Sequence, residues 1–174
     1  LAVRTLFNLL GPLTNPAGAR RQLMGVYDPA LTEPLALVLC ELGGEAAFVV
    51  HGDGGLDELT ISGPNRVSEL REGQVHTYTL DPRKYGFAPC DPSELAGGDP
   101  AHNAQITRAI LENQMNGAKR AVVLLNAAAG IVAGGRAADI EQGINMAQYS
   151  LDSGAALAKL DALIAYTQQI GVAS

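Results

Sequence analysis

The apolar positions of this chain change period as it proceeds. They are helical at the start, strand-like in the middle third, and helical again from about residue 99 onward. Leu6, Phe7 and Leu10 predict a short helix that must end at Gly11-Pro12, because proline cannot continue it and restricts the residue before. Pro12-Leu13-Thr14-Asn15-Pro16 then reads as a rigid turn, apolar enough to suit a fixed loop beside a pocket as well as a surface loop. Residues 22–27 form a strand pattern, and Asp28-Pro29 is an N-cap with proline at the first helical position. The helix that follows places Leu31, Leu35, Val38, Leu39 and Leu42 on one face and stops at Gly43-Gly44. Residues 46–50 are continuously apolar and predict a buried strand. The strand–helix–strand unit implies a parallel pair with a right-handed crossover.

Beyond residue 58 the texture alternates. Leu59-Thr60-Ile61, residues 66–70 and residues 75–80 read as antiparallel strands, separated by Gly63-Pro64-Asn65 and Glu72-Gly73. Residues 85–98 are loop-like. Asp99-Pro100 repeats the cap signature, and Ile106, Ile110, Leu111 and Met115 keep the helical period up to Asn116-Gly117. Residues 118–133 are apolar nearly all round, so a buried helix packed through its alanines is expected. Asn126 in its middle must be satisfied by a partner, and a structural hydrogen bond is the expected one. Two amphipathic helices, 139–151 and 155–170, complete the chain. The fold class is α/β: a mostly parallel central sheet with an antiparallel addition, flanked by helices. Residues 1–174 read as a single domain without internal repeats.

Composition narrows the function classes. The chain has 174 residues, 47% of them hydrophobic, enough for one sizeable core. Its net charge of -6, with no basic cluster beyond Arg20-Arg21 and Lys119-Arg120, disfavours nucleic acid as a partner. A phosphorylated substrate remains compatible when a divalent cation screens the charge. Cys40 and Cys90 have no CxxC spacing, which suits a reduced, cytoplasmic chain without a zinc site. The longest apolar run, near residues 121–133, is broken by Asn126 and is shorter than the ~18 residues of a membrane span. The opening at Leu1 without methionine reads as the middle of a longer protein.

The densest chemistry lies where the apolar run of residues 46–50 meets His51-Gly52-Asp53-Gly54-Gly55-Leu56-Asp57-Glu58. Glycines permit a tight turn, and the end of a buried strand is where an α/β sheet places its ligand loop. Adjacent carboxylates can serve one site only from a turn. Magnesium is commonly held by one or two carboxylates plus waters and substrate phosphates; calcium takes more oxygens than are in view. Residue chemistry leaves Asp57 and Glu58 balanced between a metal turn and a solvated one. The glycines lack the third member of a dinucleotide fingerprint. His51 suits a structural hydrogen bond better than a base, and no covalent nucleophile motif is present. Arg4, beside the double-proline turn, could capture a carboxylate bidentately or form an internal salt bridge.

Arg4-Thr5-Leu6-Phe7-Asn8-Leu9-Leu10-Gly11-Pro12-Leu13-Thr14-Asn15-Pro16 closely resembles the signature segment of the anthranilate phosphoribosyltransferase family. Gln22-Leu23-Met24-Gly25-Val26-Tyr27, the turn from His51-Gly52 to Asp57-Glu58, and the stretch from Glu112-Asn113 to Asn126-Ala127-Ala128-Ala129 resemble it in the same order. The resemblance implies a nucleoside phosphorylase/phosphoribosyltransferase-like C-terminal domain. It implies transfer of phosphoribose from phosphoribosyl pyrophosphate to anthranilate, in tryptophan biosynthesis. It assigns Mg2+ at the pyrophosphate end to Asp57 and Glu58, and the anthranilate carboxylate to Arg4. Gly11, Pro12, Thr14, Asn15 and Pro16 are then substrate-binding candidates lining the approach of anthranilate. No general base is required, so no catalytic residue is assigned. The family's Gly-Thr-Gly-Gly-Asp and Lys-His-Gly-Asn-Arg segments, and the helical domain of its homodimer contact, would lie upstream. The expectation is a C-terminal portion that does not turn over alone. Pyrimidine nucleoside phosphorylases and nucleic-acid-binding relatives share the fold and are the alternatives.

Overall fold

The computed structural model describes residue 11 and residues 13–171. The expected helix ahead of Gly11, with Arg4 on it, and Pro12 lie outside the described residues. Strand β1 is Arg21–Gly25 and a single 3-10 turn, Pro29–Leu31, leads into helix α1, Thr32–Glu41. Strands β2 (Ala46–Gly52), β3 (Asn65–Arg71) and β4 (Gln74–Leu80) follow. Helices α2 (Pro100–Leu111), α3 (Ala118–Ala133), α4 (Ile140–Asp152) and α5 (Ala155–Gly171) complete the chain. The sheet order is β1-β2-β3-β4. β1 and β2 are parallel, while β2–β3 and β3–β4 are antiparallel. The α/β class, the helices flanking the sheet and its antiparallel addition are as expected, but among the described residues the sheet is mixed rather than mostly parallel: only the β1–β2 pair of the β1–α1–β2 unit is parallel.

The apolar run in β2 is explained by cover on both faces. Ala47 and Val49 pack with Leu35, Ala36 and Leu39 of α1. Phe48 and Val50 pack on the other side with Leu125, Ala129 and Val132 of α3. Fully burying a side chain of this size stabilises by roughly 1.5–3 kcal/mol, so the two-sided cover accounts for a central strand without polar alternation. A third cluster, Ile110, Leu124, Ala147 and Leu151, joins α2, α3 and α4. The β3–β4 hairpin closes through Glu72 and Gly73, both at positive φ (52° and 73°), as a two-residue turn matched to strand twist requires.

Two expectations are corrected. The buried stripe of α1 is Thr32, Leu35, Ala36 and Leu39, whereas Val38 (39% exposed) and Leu42 (62%) face outward. The 3-10 turn resets the helix start, and the small residues Thr32 and Ala36 allow the backbone to sit close to the sheet. Leu59-Thr60-Ile61 is not a strand. All three are buried, Thr60 included where alternation would place it toward solvent, and side chains rather than a neighbouring strand take the backbone hydrogen bonds of Leu59 and Thr60. Among the described residues no helix is long and apolar enough to cross a membrane.

Candidate functional site

β1 and β2 end side by side, with Gly25 opposite Val50 and the Val26 N–H donating to Val50 O at 2.9 Å. His51 Nδ1 lies 2.8 Å from the Val26 carbonyl oxygen. A carbonyl only accepts, so Nδ1 carries the proton and the imidazole ties the two strand ends together. The structural reading of His51 is the one the geometry supports.

From Gly52 the chain reverses tightly. The Gly52 N–H donates to Leu56 O at 2.8 Å, and the Gly55 and Leu56 N–H groups both donate to Gly52 O at 3.2 Å. Gly54 and Gly55 take φ of 78° and 85°, a left-handed pair that side-chain-bearing residues resist. The reversal leaves Asp57 and Glu58 exposed at the carboxyl ends of two parallel strands. Burial first, and the neighbouring Asp57 carboxylate second, push the Glu58 carboxyl above its ordinary range. The folded chain thus binds that proton more tightly than the unfolded chain. The associated stability is present at low pH and is lost as pH rises through the raised value, unless a cation compensates.

Two glycines set how closely this turn can approach the sheet. A Cβ on Gly25 would lie 1.5 Å from Asp57 O, and one on Gly52 would lie 2.4 Å from Glu58 O. Leu59 and Thr60, immediately downstream, are 0% exposed. Asn126 of α3 accepts from the Leu59 N–H (3.0 Å) and donates to Leu59 O (2.7 Å) and Val122 O (3.0 Å). Asn65, at the start of β3 and also 0% exposed, accepts from the Thr60 N–H (2.7 Å) and donates to Thr60 O (2.9 Å).

As a donor set, Asp57 and Glu58 fit a hard divalent cation that keeps waters and takes further oxygens from a ligand. Among the described residues no group of three or more His, Cys, Asp or Glu side chains could hold a metal. A two-carboxylate magnesium turn is the form of site that these residues match; a fully protein-ligated cage is not.

The other candidates lie elsewhere. Thr14, Asn15 and Pro16 are exposed, with the Thr14 N–H donating to Gly11 O at 3.3 Å and Asn15 Oδ1 accepting from the Ala17 N–H at 2.9 Å. Leu13 and Asn15 line a cavity of about 310 Å³ with Arg20, Leu39, Leu42 and Gly44. That cavity is at the start of β1 and β2, the opposite end from Asp57 and Glu58. The described residues therefore do not bring loop and acidic turn together, and Arg4 and Pro12 lie outside them. Sequence reasoning missed Gly25 and Asn65 as site-shaping residues, whereas Gly52 was among the glycines expected to allow close backbone approach. A glycine inside an apolar strand, as at Gly25, is a recognised sign of close backbone approach. Asn65 was hidden by its place in a Gly-Pro-Asn turn signal.

Comparison with known proteins gives the family. The model of the glycosyl transferase family, a/b domain, matches residues 1–157. Anthranilate phosphoribosyltransferase of Pelotomaculum thermopropionicum is 53% identical over 167 residues, 96% of this chain and 48% of that protein. The enzyme of the same name from Desulfatibacillum aliphaticivorans is 53% identical over 98% of this chain and 50% of its own length. The chain thus spans about half the length of the curated relatives it matches. Among solved structures, anthranilate phosphoribosyltransferase from Thermus thermophilus superposes with a TM-score of 0.88 at 40% identity, covering 96% of this chain and 49% of that one. The Saccharomyces cerevisiae enzyme in complex with PRPP and Mg has a TM-score of 0.78 at 29% identity, over 91% of this chain and 46% of its own. With a matched sheet, matched helices and a family model covering nearly the whole length, the chain belongs to the glycosyl transferase family through its a/b domain.

Proposed function

We propose that the intact protein containing this chain transfers phosphoribose from phosphoribosyl pyrophosphate to the amine of anthranilate, in tryptophan biosynthesis. The observation that carries the reading is the Asp57-Glu58 turn at the carboxyl ends of β1 and β2, held against Gly25 and Gly52. Its support is the extent of similarity to anthranilate phosphoribosyltransferases, one of them bound to PRPP and Mg. Asp57 and Glu58 would hold Mg2+ at the pyrophosphate end. When bound there, the ion supplies neutralisation of charge on the departing pyrophosphate. The chain's own residues then act by positioning. The turn fixes where the pyrophosphate rests, and Arg4 would orient the acceptor through its carboxylate. The resemblance also puts Gly11, Pro12, Thr14, Asn15 and Pro16 on the acceptor side, but Asn15 lines the cavity at the start of β1 and β2, so this reading asks no contact of that loop with the reacting groups at the acidic turn. Holding two reactants in register can supply ~7–11 kcal/mol of barrier lowering, which suits a reaction that asks no general base of this chain. His51, with Nδ1 committed to Val26, serves the scaffold.

The same reading makes the chain the C-terminal portion of a cytoplasmic enzyme that dimerises through an upstream helical domain. The test is an assay of the intact protein with anthranilate against thymidine plus phosphate, combined with Mg2+ titration of PRPP binding in wild type and Asp57→Asn. Transfer to anthranilate, with Mg2+-dependent PRPP affinity weakened by at least about tenfold in the variant, is expected. Phosphorolysis of thymidine would establish the phosphorylase alternative. Unchanged affinity in Asp57→Asn would remove the metal role.

A further inference from the structure

We propose that Asn126 and Asn65 are positioning residues for the acidic turn: two buried carboxamides that grip the backbone directly downstream of Glu58 and thereby set where its carboxylate and that of Asp57 can stand. The inference rests on the magnesium reading of that turn and extends it to residues on other elements. Leu59 and Thr60 have no solvent contact and no neighbouring strand. Buried backbone N–H and C=O groups must nevertheless be paired. A primary carboxamide presents an acceptor and a donor at one edge, so it can pair with the N–H and C=O of a single residue as an adjacent strand would.

Both asparagines do this, on consecutive residues and from different parts of the fold. Asn126 takes Leu59 at 3.0 and 2.7 Å and is itself anchored to Val122 O within α3. Asn65 takes Thr60 at 2.7 and 2.9 Å and reaches Leu80 O at the end of β4. The segment is thus fastened to α3 on one hand and to the β3–β4 edge on the other. Upstream, the reversal is pinned at Gly52, whose N–H donates to Leu56 O and whose carbonyl accepts from the N–H groups of Gly55 and Leu56. Between these fixed points only Asp57 and Glu58 remain exposed. Outer partners that orient metal-binding groups typically contribute about 10- to 100-fold in metal affinity.

The experiment measures phosphoribosyl transfer by the intact protein as a function of Mg2+, in wild type, Asn126→Ala, Asn126→Asp and Asp57→Asn. Asn126→Asp keeps the acceptor for the Leu59 N–H and loses the donor to Leu59 O. The Mg2+ concentration at half-saturation should rise about 10- to 100-fold in Asn126→Ala. The KM for anthranilate at saturating Mg2+ should stay within about twofold, because the grip touches the metal end only. A purely structural asparagine would instead reduce the amount of active protein and scale kcat, leaving half-saturation in place; that result overturns the proposal. If Asp57→Asn shifts the half-saturation and the Asn126 variants do not, the positioning role falls while the magnesium turn stands. If Asp57→Asn shifts nothing, the magnesium turn falls and the proposal with it. Should the variants fail to fold, hydrogen exchange of the wild type decides. The Leu59 and Thr60 amides should exchange as slowly as those of β2, and exchange as fast as that of Gly54 overturns the grip.

Discussion

At Gly25 the whole side-chain repertoire except hydrogen is excluded by one backbone atom. Its Cβ position is 1.5 Å from Asp57 O, and both the Asp57 carbonyl carbon and Cα lie close behind. No flexible side chain can move aside; the turn itself must shift. Gly25→Ala should therefore destabilise by about 1–3 kcal/mol, the usual cost of overpacking, read as a lower denaturant midpoint with unchanged m. It should also weaken Mg2+-dependent PRPP binding, since the displaced atoms belong to a proposed metal residue. Full retention of both properties would show that the turn has slack. Residue chemistry left the role of Asp57 and Glu58 open, but the tight turn that carries them was legible because glycine density next to an apolar run is a local signal. Their setting was not, because Gly25 stands 32 residues before Asp57 and Asn126 stands 69 residues after it. No local pattern links a strand glycine, a helix asparagine and a turn until the sheet has brought them together.

Elements were legible wherever period and punctuation agreed. The β1–α1–β2 unit has Asp28-Pro29 at its helix start and Gly43-Gly44 after its end, and the hairpin has Glu72-Gly73 at its turn. They failed where burial and pairing parted company. Leu59-Thr60-Ile61 carries the alternation of a strand and the burial of one, but Asn126 and Asn65 supply the hydrogen bonds, and carboxamides leave no periodic trace. The short 3-10 turn Pro82–Tyr85 shows local chemistry at its strongest. Asp81 caps it, accepting from the Arg83 N–H at 3.0 Å and from the guanidinium at 2.7 and 2.9 Å. The guanidinium hydrogen bonds, then the backbone N–H, hold the Asp81 carboxyl down from 3.8 to about 2. Because the folded value is depressed, the stabilising contribution is present above the unfolded value and is lost as pH falls through the folded one. The stability difference between wild type and Asp81→Asn should therefore be constant above about pH 5 and shrink between about pH 4 and pH 2. Denaturant midpoints measured across that window check it, and a difference that does not change with pH would show that the ion pair adds nothing beyond the neutral cap.

For the molecule as a whole, the sign of its charge constrains what it can do unaided. The net charge is -6, and the proposed donor is itself polyanionic. Two exposed carboxylates can hold a hydrated divalent ion, but they repel pyrophosphate when the ion is absent. Productive binding needs donors that face the phosphates from the other side. The resemblance assigns those to glycine-rich and basic segments that these 174 residues do not include. On the proposed reading, a chain that spans about half the length of its relatives would carry one wall of the site: the acidic turn at one end of the sheet. The 174 residues alone should accordingly show no phosphoribosyl transfer at Mg2+ and PRPP concentrations that saturate the intact protein, even though their own sheet and core clusters are well formed. A fluorescence assay for anthranilate consumption checks this, run beside circular dichroism to confirm that the chain is folded. Turnover by the folded 174-residue chain would mean that the acidic turn needs no opposing cradle, and the division of the site between two walls would have to be abandoned.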